Sequence, residues 1–171
     1  MRLFIAIPLS EQIKENVVSL QDSFKQAHVR GNYTPSENLH ITLAFIGEYK
    51  DPDQVMDALE GIEFSPFTLT MDKVGRWDKL WWAGFRESKE LESLARQVRR
   101  ALADAGIPYD RKKFKAHVTI LRKPIYPDGE RISQMDLKAG KMQVDRISLM
   151  QSTRGRHGMI YTEIGTVTAT I

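Results

Sequence analysis

Two short segments of this chain each carry a histidine and a threonine two positions apart within an apolar run. The first is LHITLAFIGE, with His40 and Thr42, and the second is AHVTILRKP, with His117 and Thr119. Residues two apart on a strand point to the same face, so each histidine should project beside its threonine. One such histidine would more often be structural, but two of the four histidines in the chain follow this pattern, which favours a function.

If the two strands lie side by side, two imidazoles and two hydroxyls converge at one place. Hydrolysis of a phosphodiester needs one group to take a proton from water and another to give a proton to the leaving alkoxide. Histidine, with an unperturbed pKa of about 6.5, can do either near neutral pH. Threonine hydroxyls can donate hydrogen bonds to the non-bridging oxygens. The motifs therefore predict a phosphate-ester site.

An internal repeat relates the two motifs. A shift of 77 residues places the first motif on the second, Asp51 on Asp128 and Lys79 on Arg156. A duplication explains this pattern, and two copies are too few for a solenoid. We therefore expect an α+β fold whose two pseudo-two-fold-related lobes, each an antiparallel sheet backed by helices, face each other across a central cleft. Residues 1–171 should form this single bilobal domain.

Turn and cap signals divide the first half into elements. The expected elements are a strand at RLFIAIPL, a helix capped by Ser10 and ending before Gly31, a strand over 39–46, a helix from Pro52 through Leu59, and hairpin strands over 67–74 and 79–85 joined across GRWD. Apolar residues recur at helical spacing in the first helix. Asp51 and Gln54 supply the second helix with a cap and a capping-box partner.

The second half repeats this order. Its expected elements are a helix after Ser88 closed by Gly106, the strand around His117, a turn or short helix from Asp128, a strand at MQVDRISLM and a final strand at HGMIYTEIG. Three tryptophans, Trp77, Trp81 and Trp82, fall in or beside the first-half hairpin strands. Packing in the core or hairpin is more common for such residues than stacking on a base.

Composition narrows the class of protein. The chain is 42% hydrophobic and 27% charged and has no cysteine, which excludes a disulfide framework, a thiolate zinc site and a cysteine nucleophile. No HExxH motif or acidic cluster accompanies the histidines, so we expect neither a metal nor a cofactor. No apolar stretch reaches the ~18 residues that span a bilayer, and we expect a cytoplasmic monomer without a membrane partner.

The motifs, the repeat and the length resemble the two-histidine (2H) phosphoesterases, particularly the bacterial LigT-type RNA 2′,3′-cyclic phosphodiesterases. The likeness extends from RLFIAIPL through both motifs to SLMQSTRG and MIYTEI. It implies metal-free opening of a 2′,3′-cyclic phosphate at an RNA end, leaving a 2′-phosphate. It also implies that His40 and His117 are the acid and base, and that Thr42 and Thr119 bind phosphate.

Two further positions match the family with less specificity. Members often have an aromatic residue five after the first histidine and an arginine five after the second, and Phe45 and Arg122 occupy these positions. The resemblance implies that both bind substrate. Regular strand alternation puts them on the face opposite their histidines, so they reach the site only if the strand bends or ends first. A core role for Phe45 is an equal alternative.

Three other functions remain open. Within the family, the chain could act on small cyclic nucleotides or have a 2′-5′ RNA ligase-like activity; outside it, the chain could be a non-catalytic module that binds RNA ends. The basic run RKKFK, with Arg76, Arg154 and Arg156 near the expected hairpin turns, favours RNA ends over lone nucleotides. Binding alone does not require two groups that titrate near neutral pH, which disfavours the binding module.

Overall fold

The computed structural model describes residues 1–127 and 135–170. In chain order, its strands and helices are β1 (Arg2–Pro8), α1 (Glu11–Gln26), β2 (Arg30–Tyr33), a 3-10 turn (Ser36–Asn38), β3 (His40–Glu48), α2 (Pro52–Glu60), β4 (Phe67–Trp77), β5 (Leu80–Phe85), α3 (Lys89–Asp104), β6 (His117–Ile125), β7 (Gly140–Val144), β8 (Arg146–Gly155) and β9 (Gly158–Thr168). The turn or short helix expected from Asp128 lies outside the described residues.

The strands form two antiparallel sheets of matching order. Sheet A has the order β3-β1-β8-β9, and sheet B has the order β2-β6-β5-β4-β7. Apart from the additional edge strand β2, each strand of sheet A has a counterpart in sheet B, and the two motif strands β3 and β6 correspond. The predicted α+β architecture with two antiparallel sheets is therefore confirmed. The motif strands do not pair with each other, because each belongs to a different sheet.

The two lobes are not the two sequential halves of the chain. Helix α1 follows β1 of sheet A but packs against β2, β6 and β7 of sheet B. Helix α3 follows β5 of sheet B but packs against β3 of sheet A and against α2. Each long helix therefore covers the sheet opposite to the strand that precedes it, which ties the lobes together.

The predicted caps at Ser10 and Asp51 are confirmed, and Ser88 caps α3 in the same way. The side chain of Gln54 does not form the expected capping-box contact, because it contacts the Tyr49 hydroxyl and the Ala105 carbonyl instead. The Ile13 amide donates to Ser10 Oγ at 3.3 Å, and the Leu91 amide donates to Ser88 Oγ at 3.1 Å. The Gln54 amide donates to the Asp51 carboxylate at 3.1 Å. These side chains satisfy amides that a helix leaves unpaired in its first turn.

Two sequence predictions about strands were wrong, and one strand was not predicted. MQVDRISLM is not one strand but β7 and β8, which separate at Asp145 and enter different sheets. The first hairpin turns at Asp78 and Lys79 rather than across GRWD, because β4 continues through Gly75. Strand β2 was not predicted, since RGNY is largely exposed and lacks an apolar alternation.

A β-bulge interrupts β3 after the first motif. Ala6 pairs with Thr42, but Ile5 pairs with Ala44, which leaves Leu43 as the extra residue. Leu43 and Ala44 are both buried, so the in-out alternation resets at this point. Phe45 consequently returns to the face that carries Thr42.

The same device recurs in β6. Trp82 pairs with Thr119, but Trp81 pairs with Leu121, which leaves Ile120 as the extra residue. Two consecutive buried residues again reset the alternation. Arg122 therefore lies on the face of Thr119. Phe45 and Arg122 could reach the site only if their strands bend after the motif histidines. The bulges provide this bend at equivalent places in both motifs.

Each bulge is held by a polar side chain from a helix. Gln21 of α1, only 4% exposed, donates through Nε2 to the Ile120 carbonyl at 3.0 Å and to the Thr34 carbonyl at 2.9 Å. Arg99 of α3 donates to the Leu43 carbonyl at 3.1 Å and to the Lys112 carbonyl at 2.7 Å. We call these contacts the bulge clamps.

Replacing Gln21 with leucine should destabilise the fold. The variant removes the Nε2 group that donates to both carbonyls, although the Ile120 carbonyl keeps the Thr34 amide as a partner, and each lost hydrogen bond typically costs about 0.5–1.5 kcal/mol. Urea denaturation should show this loss as a lower midpoint with an unchanged slope. Ser23→Ala, which removes an exposed hydroxyl on the same helix, should change stability by less than about 0.5 kcal/mol. An equal, small effect for both variants would contradict the clamp.

Candidate active site

A cleft of about 390 Å³ lies between the cleft-facing sides of the two sheets. It is lined by all six site residues that the sequence predicted: His40, Thr42, Phe45, His117, Thr119 and Arg122. The first three come from sheet A and the last three from sheet B. The remaining lining residues are Arg2, Phe4, Thr34, Asn38, Ser152, Arg154, Met159 and Tyr161.

Both histidines are held by the backbone in the same way. Nδ1 of His40 lies 2.7 Å from the Asn38 carbonyl oxygen, and Nδ1 of His117 lies 2.6 Å from the Lys115 carbonyl oxygen. A carbonyl only accepts hydrogen bonds, so Nδ1 carries the proton in both rings. Nε2 is then the atom of each ring that can take or give a proton.

The surroundings of the two imidazoles differ. His40 packs against Phe4 and Tyr161, with ring centroids 4.9 and 5.4 Å away, and its Nε2 lies 2.7 Å from Thr42 Oγ1. His117 instead meets the Trp77 ring edge-on at 4.7 Å. The two motifs therefore share backbone geometry but not their aromatic neighbours.

Burial and positive charge lower the pKa of both histidines. For His40, burial has the largest effect, and the charges of His117 and Arg122 act in the same direction. Burial also leads for His117, followed by the charges of Arg122 and Lys115. The carbonyls that accept from Nδ1 oppose these effects in part. Each imidazolium is thus easier to deprotonate than a free histidine, which suits an anionic ligand that would restore the charge balance.

The cleft is cationic beyond Arg122. Arg2 and Arg154 also line it, and the Arg2 guanidinium lies 5.6 Å from the centroid of the Phe45 ring. Phe45 is 38% exposed, so it is not a core residue.

In residues 1–127 and 135–170, no group of three or more histidine, aspartate or glutamate side chains could hold a metal ion. The described helices include none that is both long and apolar enough to cross a membrane.

Several lining residues were not identified from the sequence. Asn38 is 6% exposed and donates through Nδ2 to the Met159 carbonyl at 2.9 Å, which fixes the carbonyl that holds His40. Because that carbonyl belongs to the backbone, no residue type signals its role. Tyr161 and Arg2 lie on strands β9 and β1, and only the sheet order brings them to the cleft.

The tryptophans behave mostly as packing residues, as predicted. Trp81 is 2% exposed, and its Nε1 donates to the Tyr126 hydroxyl at 2.9 Å. Trp77 and Trp82 pack on each other in the hairpin, with centroids 5.5 Å apart. Both are only half-buried. His28 and His157 are exposed, and neither lines the cleft.

Two curated proteins are similar over nearly the full chain. RNA 2′,3′-cyclic phosphodiesterase of Archaeoglobus fulgidus is 31% identical, over 96% of this chain and 98% of the relative. RNA 2′,3′-cyclic phosphodiesterase of Thermotoga maritima is 28% identical, over 94% of this chain and 91% of the relative.

A solved structure has the same fold as this chain over nearly its full length. The crystal structure of Escherichia coli LigT complexed with 3′-AMP matches with a TM-score of 0.85 and 28% identity, covering 99% of this chain and 98% of the other. The family model of the 2′-5′ RNA ligase superfamily matches residues 9–156. The chain therefore belongs to the 2′-5′ RNA ligase superfamily, and its resemblance to the 2H phosphoesterases is confirmed.

Proposed function

We propose that this chain hydrolyses the 2′,3′-cyclic phosphate at RNA ends to a 2′-phosphomonoester, using His40 and His117 as acid and base without a metal. The names of the similar curated proteins support this substrate. The observation that carries the proposal is the shared geometry of the two imidazoles: each is fixed through Nδ1 on a carbonyl, which leaves two Nε2 atoms at one cationic cleft.

The reaction needs two proton transfers on opposite sides of phosphorus. Water attacks phosphorus and gives a proton to Nε2 of His117, while the bond to the 3′-oxygen breaks and that oxygen takes a proton from Nε2 of His40. A new P–O bond replaces the one that is lost, and the phosphate remains on the 2′-oxygen. Each histidine ends in the protonation state with which the other began, and exchange with solvent resets the pair.

The threonines and Arg122 are the proposed phosphate ligands. His40 Nε2 lies 2.7 Å from Thr42 Oγ1. When the Nε2–H of protonated His40 donates to the 3′-oxygen of the substrate, the Thr42 hydroxyl is free to donate to a phosphate oxygen. Thr119 offers the equivalent hydroxyl from sheet B, and the Arg122 guanidinium opposes the charge that develops on the phosphate oxygens. Loss of either hydroxyl should leave measurable activity, because no proton transfer is removed.

We also propose that residues 1–171 act as a single bilobal domain and as a monomer. One chain supplies every proposed site residue, and the long helices cross between the lobes. Since the proposed substrate is an RNA end, we place the activity in the cytoplasm.

The deciding experiment supplies an oligonucleotide that ends in a 2′,3′-cyclic phosphate, in buffer with EDTA, and identifies the phosphomonoester formed. The expected product is the 2′-phosphate at an undiminished rate. Activity that is abolished by EDTA and restored by a divalent ion would contradict the metal-free mechanism. Binding without turnover would instead favour the non-catalytic module.

A small cyclic nucleotide is the second candidate substrate. A cleft of about 390 Å³ is near the lower size limit of ligand sites and suits roughly one nucleotide. The superfamily name also keeps a 2′-5′ ligase-like activity open, with an RNA 5′-hydroxyl in place of water. Product analysis with a cyclic mononucleotide, and with an added 5′-hydroxyl oligonucleotide, distinguishes these reactions from hydrolysis of RNA ends.

Alanine at His40 or at His117 should each lower kcat by roughly 10²–10⁴-fold, because each removes one of the two proton transfers. Both groups act on the same transition state, so the double variant should lose much less than the product of the two single losses. His28→Ala, at an exposed histidine away from the cleft, is the matched control. Near-normal rates in both single variants would refute the two-histidine mechanism.

The dependence of kcat/KM on pH should be bell-shaped, because activity needs one imidazole neutral and the other protonated. Both pKa values lie below the ordinary 6.5, so the centre of the bell should lie below pH 6.5. Arg122→Gln removes a charge that lowers both pKa values and should move the centre to higher pH. Arg100→Gln, whose partner is Asp104, should not move it. A shift to lower pH in Arg122→Gln would contradict this electrostatic account.

A 3′-thio leaving group separates the acid from the base, because a thiolate leaves with little protonation. This substrate should restore much of the rate lost in His40→Ala and little of the rate lost in His117→Ala. The comparison is the ratio of kcat on the thio and ordinary substrates for each variant. Rescue of His117→Ala alone would reverse the assigned roles.

A further inference from the structure

An indole ring lies flat on sheet B beside the second motif. Trp82 pairs with Thr119, so both side chains point to the cleft-facing side of the sheet. A Cβ atom added at Gly84 would lie 2.6 Å from the Trp82 ring, and one added at Gly75 would overlap it. The ring therefore spans these two glycines, and the absence of side chains there lets it lie against the backbone. Its other face is turned away from the sheet.

A second indole adjoins this ring, and one lysine lies near each of the two indoles. Trp77 lies 5.5 Å from Trp82 and also meets His117 at 4.7 Å, so the aromatic surface continues to the second histidine. Lys115 Nζ lies 5.3 Å from the centroid of Trp77. Lys73 is exposed, and its Cβ lies beside Gly84. We call Trp77, Trp82, Lys73 and Lys115 the tryptophan platform.

The platform adjoins the cleft without lining it. It meets the cleft at His117 and Thr119, whereas the lining residues contain neither tryptophan. The cleft accommodates roughly one nucleotide. An RNA that ends in a 2′,3′-cyclic phosphate continues from its terminal nucleotide only through the 5′-oxygen. A group that extends beyond the cleft is therefore the nucleotide that precedes the terminal one.

We infer that the tryptophan platform binds the base of this preceding nucleotide, an inference that rests on the proposed function. Aromatic side chains flanked by cations are the usual means of binding single-stranded RNA, since every base has a face that can stack and every linkage carries a negative charge. The base stacks on the outer face of Trp82 and beside Trp77. Lys115 contacts the phosphate that joins the two nucleotides.

The carboxylate next to Lys73 on β4 is paired with an arginine. Asp72 precedes Lys73 on β4, and its Oδ2 accepts from Arg86 Nε at 2.7 Å. That ion pair neutralises the acidic group beside the platform. Lys73 and Lys115 thus supply positive charge beside the half-buried indoles, which favours a polyanion.

The first part of the test compares substrates with the wild-type protein, and the second part compares protein variants. Three substrates are compared at low salt in EDTA: a cyclic mononucleotide, a dinucleotide with the same cyclic end, and that dinucleotide with an abasic first residue. For the wild type, kcat/KM should be about tenfold higher or more for the intact dinucleotide than for the mononucleotide. The abasic dinucleotide should lose most of this advantage, because it keeps the phosphate and loses the base.

Protein variants then locate the effect. Trp82→Ala should lower the ratio of kcat/KM for the intact dinucleotide to kcat/KM for the mononucleotide, until it is close to the ratio that the wild type shows for the abasic dinucleotide. Because the measurement is a ratio, a loss of activity that affects both substrates equally does not change it. Trp82→Phe keeps a smaller ring and should retain part of the ratio. Lys115→Ala should lower the ratio and weaken its salt dependence. The matched control is Lys25→Ala, since Lys25 lies over the Tyr33 ring at 4.9 Å in the same arrangement but away from the cleft.

Failure of the platform and failure of the proposed function give different results. Equal wild-type rates on all three substrates would overturn the platform and leave the function intact. If no cyclic phosphate is hydrolysed, the proposed function fails. The platform is then tested by the binding of two dinucleotides that end in a 2′-phosphate, one intact and one with an abasic first residue. The intact form should quench tryptophan fluorescence more strongly than the abasic form. The quenching reports on Trp77 and Trp82, because Trp81 is only 2% exposed and does not meet the ligand. Equal quenching would overturn the inference.

Discussion

The geometry of this site depends on two side chains that bind the backbone where the motif strands bulge. Gln21 and Arg99 each donate to the extra residue of a bulge and to a second carbonyl on the segment that leads to a motif. Without the bulge, strand alternation would turn Phe45 and Arg122 away from their histidines. A bulge leaves a carbonyl outside the regular ladder, and a buried carbonyl needs a donor. Arg99 supplies a donor to the Leu43 carbonyl, and Gln21 adds a second donor to the Ile120 carbonyl, which also accepts from the Thr34 amide.

This arrangement explains why the helices cross between the lobes. A clamp works only if its helix packs against the strand that it holds, and α1 packs against β6 while α3 packs against β3. Each motif is therefore positioned by a helix that follows a strand of the other sheet. Separating the two sequential halves of the chain would remove both clamps, so the two halves of the site depend on each other for their shape as well as for their chemistry.

The sequence predicted the parts of the site that local spacing determines. The paired histidines and threonines, the caps at Ser10 and Asp51 and the repeat could all be predicted from residue types. The bulges could not be predicted from alternation alone, because they depend on register with β1 and β5; the only local signal is the adjacent apolar pair in each motif. Asn38 acts through its carbonyl, which every residue has. Strand β2 and the division at Asp145 follow from sheet pairing rather than from local sequence.

Duplication accounts for the shared chemistry of the two motifs, and divergence accounts for the difference between the walls of the cleft. At the motif histidines, sheet A places Phe4 and Tyr161 against His40, whereas sheet B places Trp77 against His117. A symmetrical pair of imidazoles can exchange roles, so symmetry alone gives no direction to the reaction. Substrate orientation must come from groups that differ between the walls: Phe4, Phe45 and Tyr161 on sheet A, and Arg122 on sheet B. Since only one orientation places the 3′-oxygen at a given histidine, unequal binding surfaces convert two similar groups into one acid and one base.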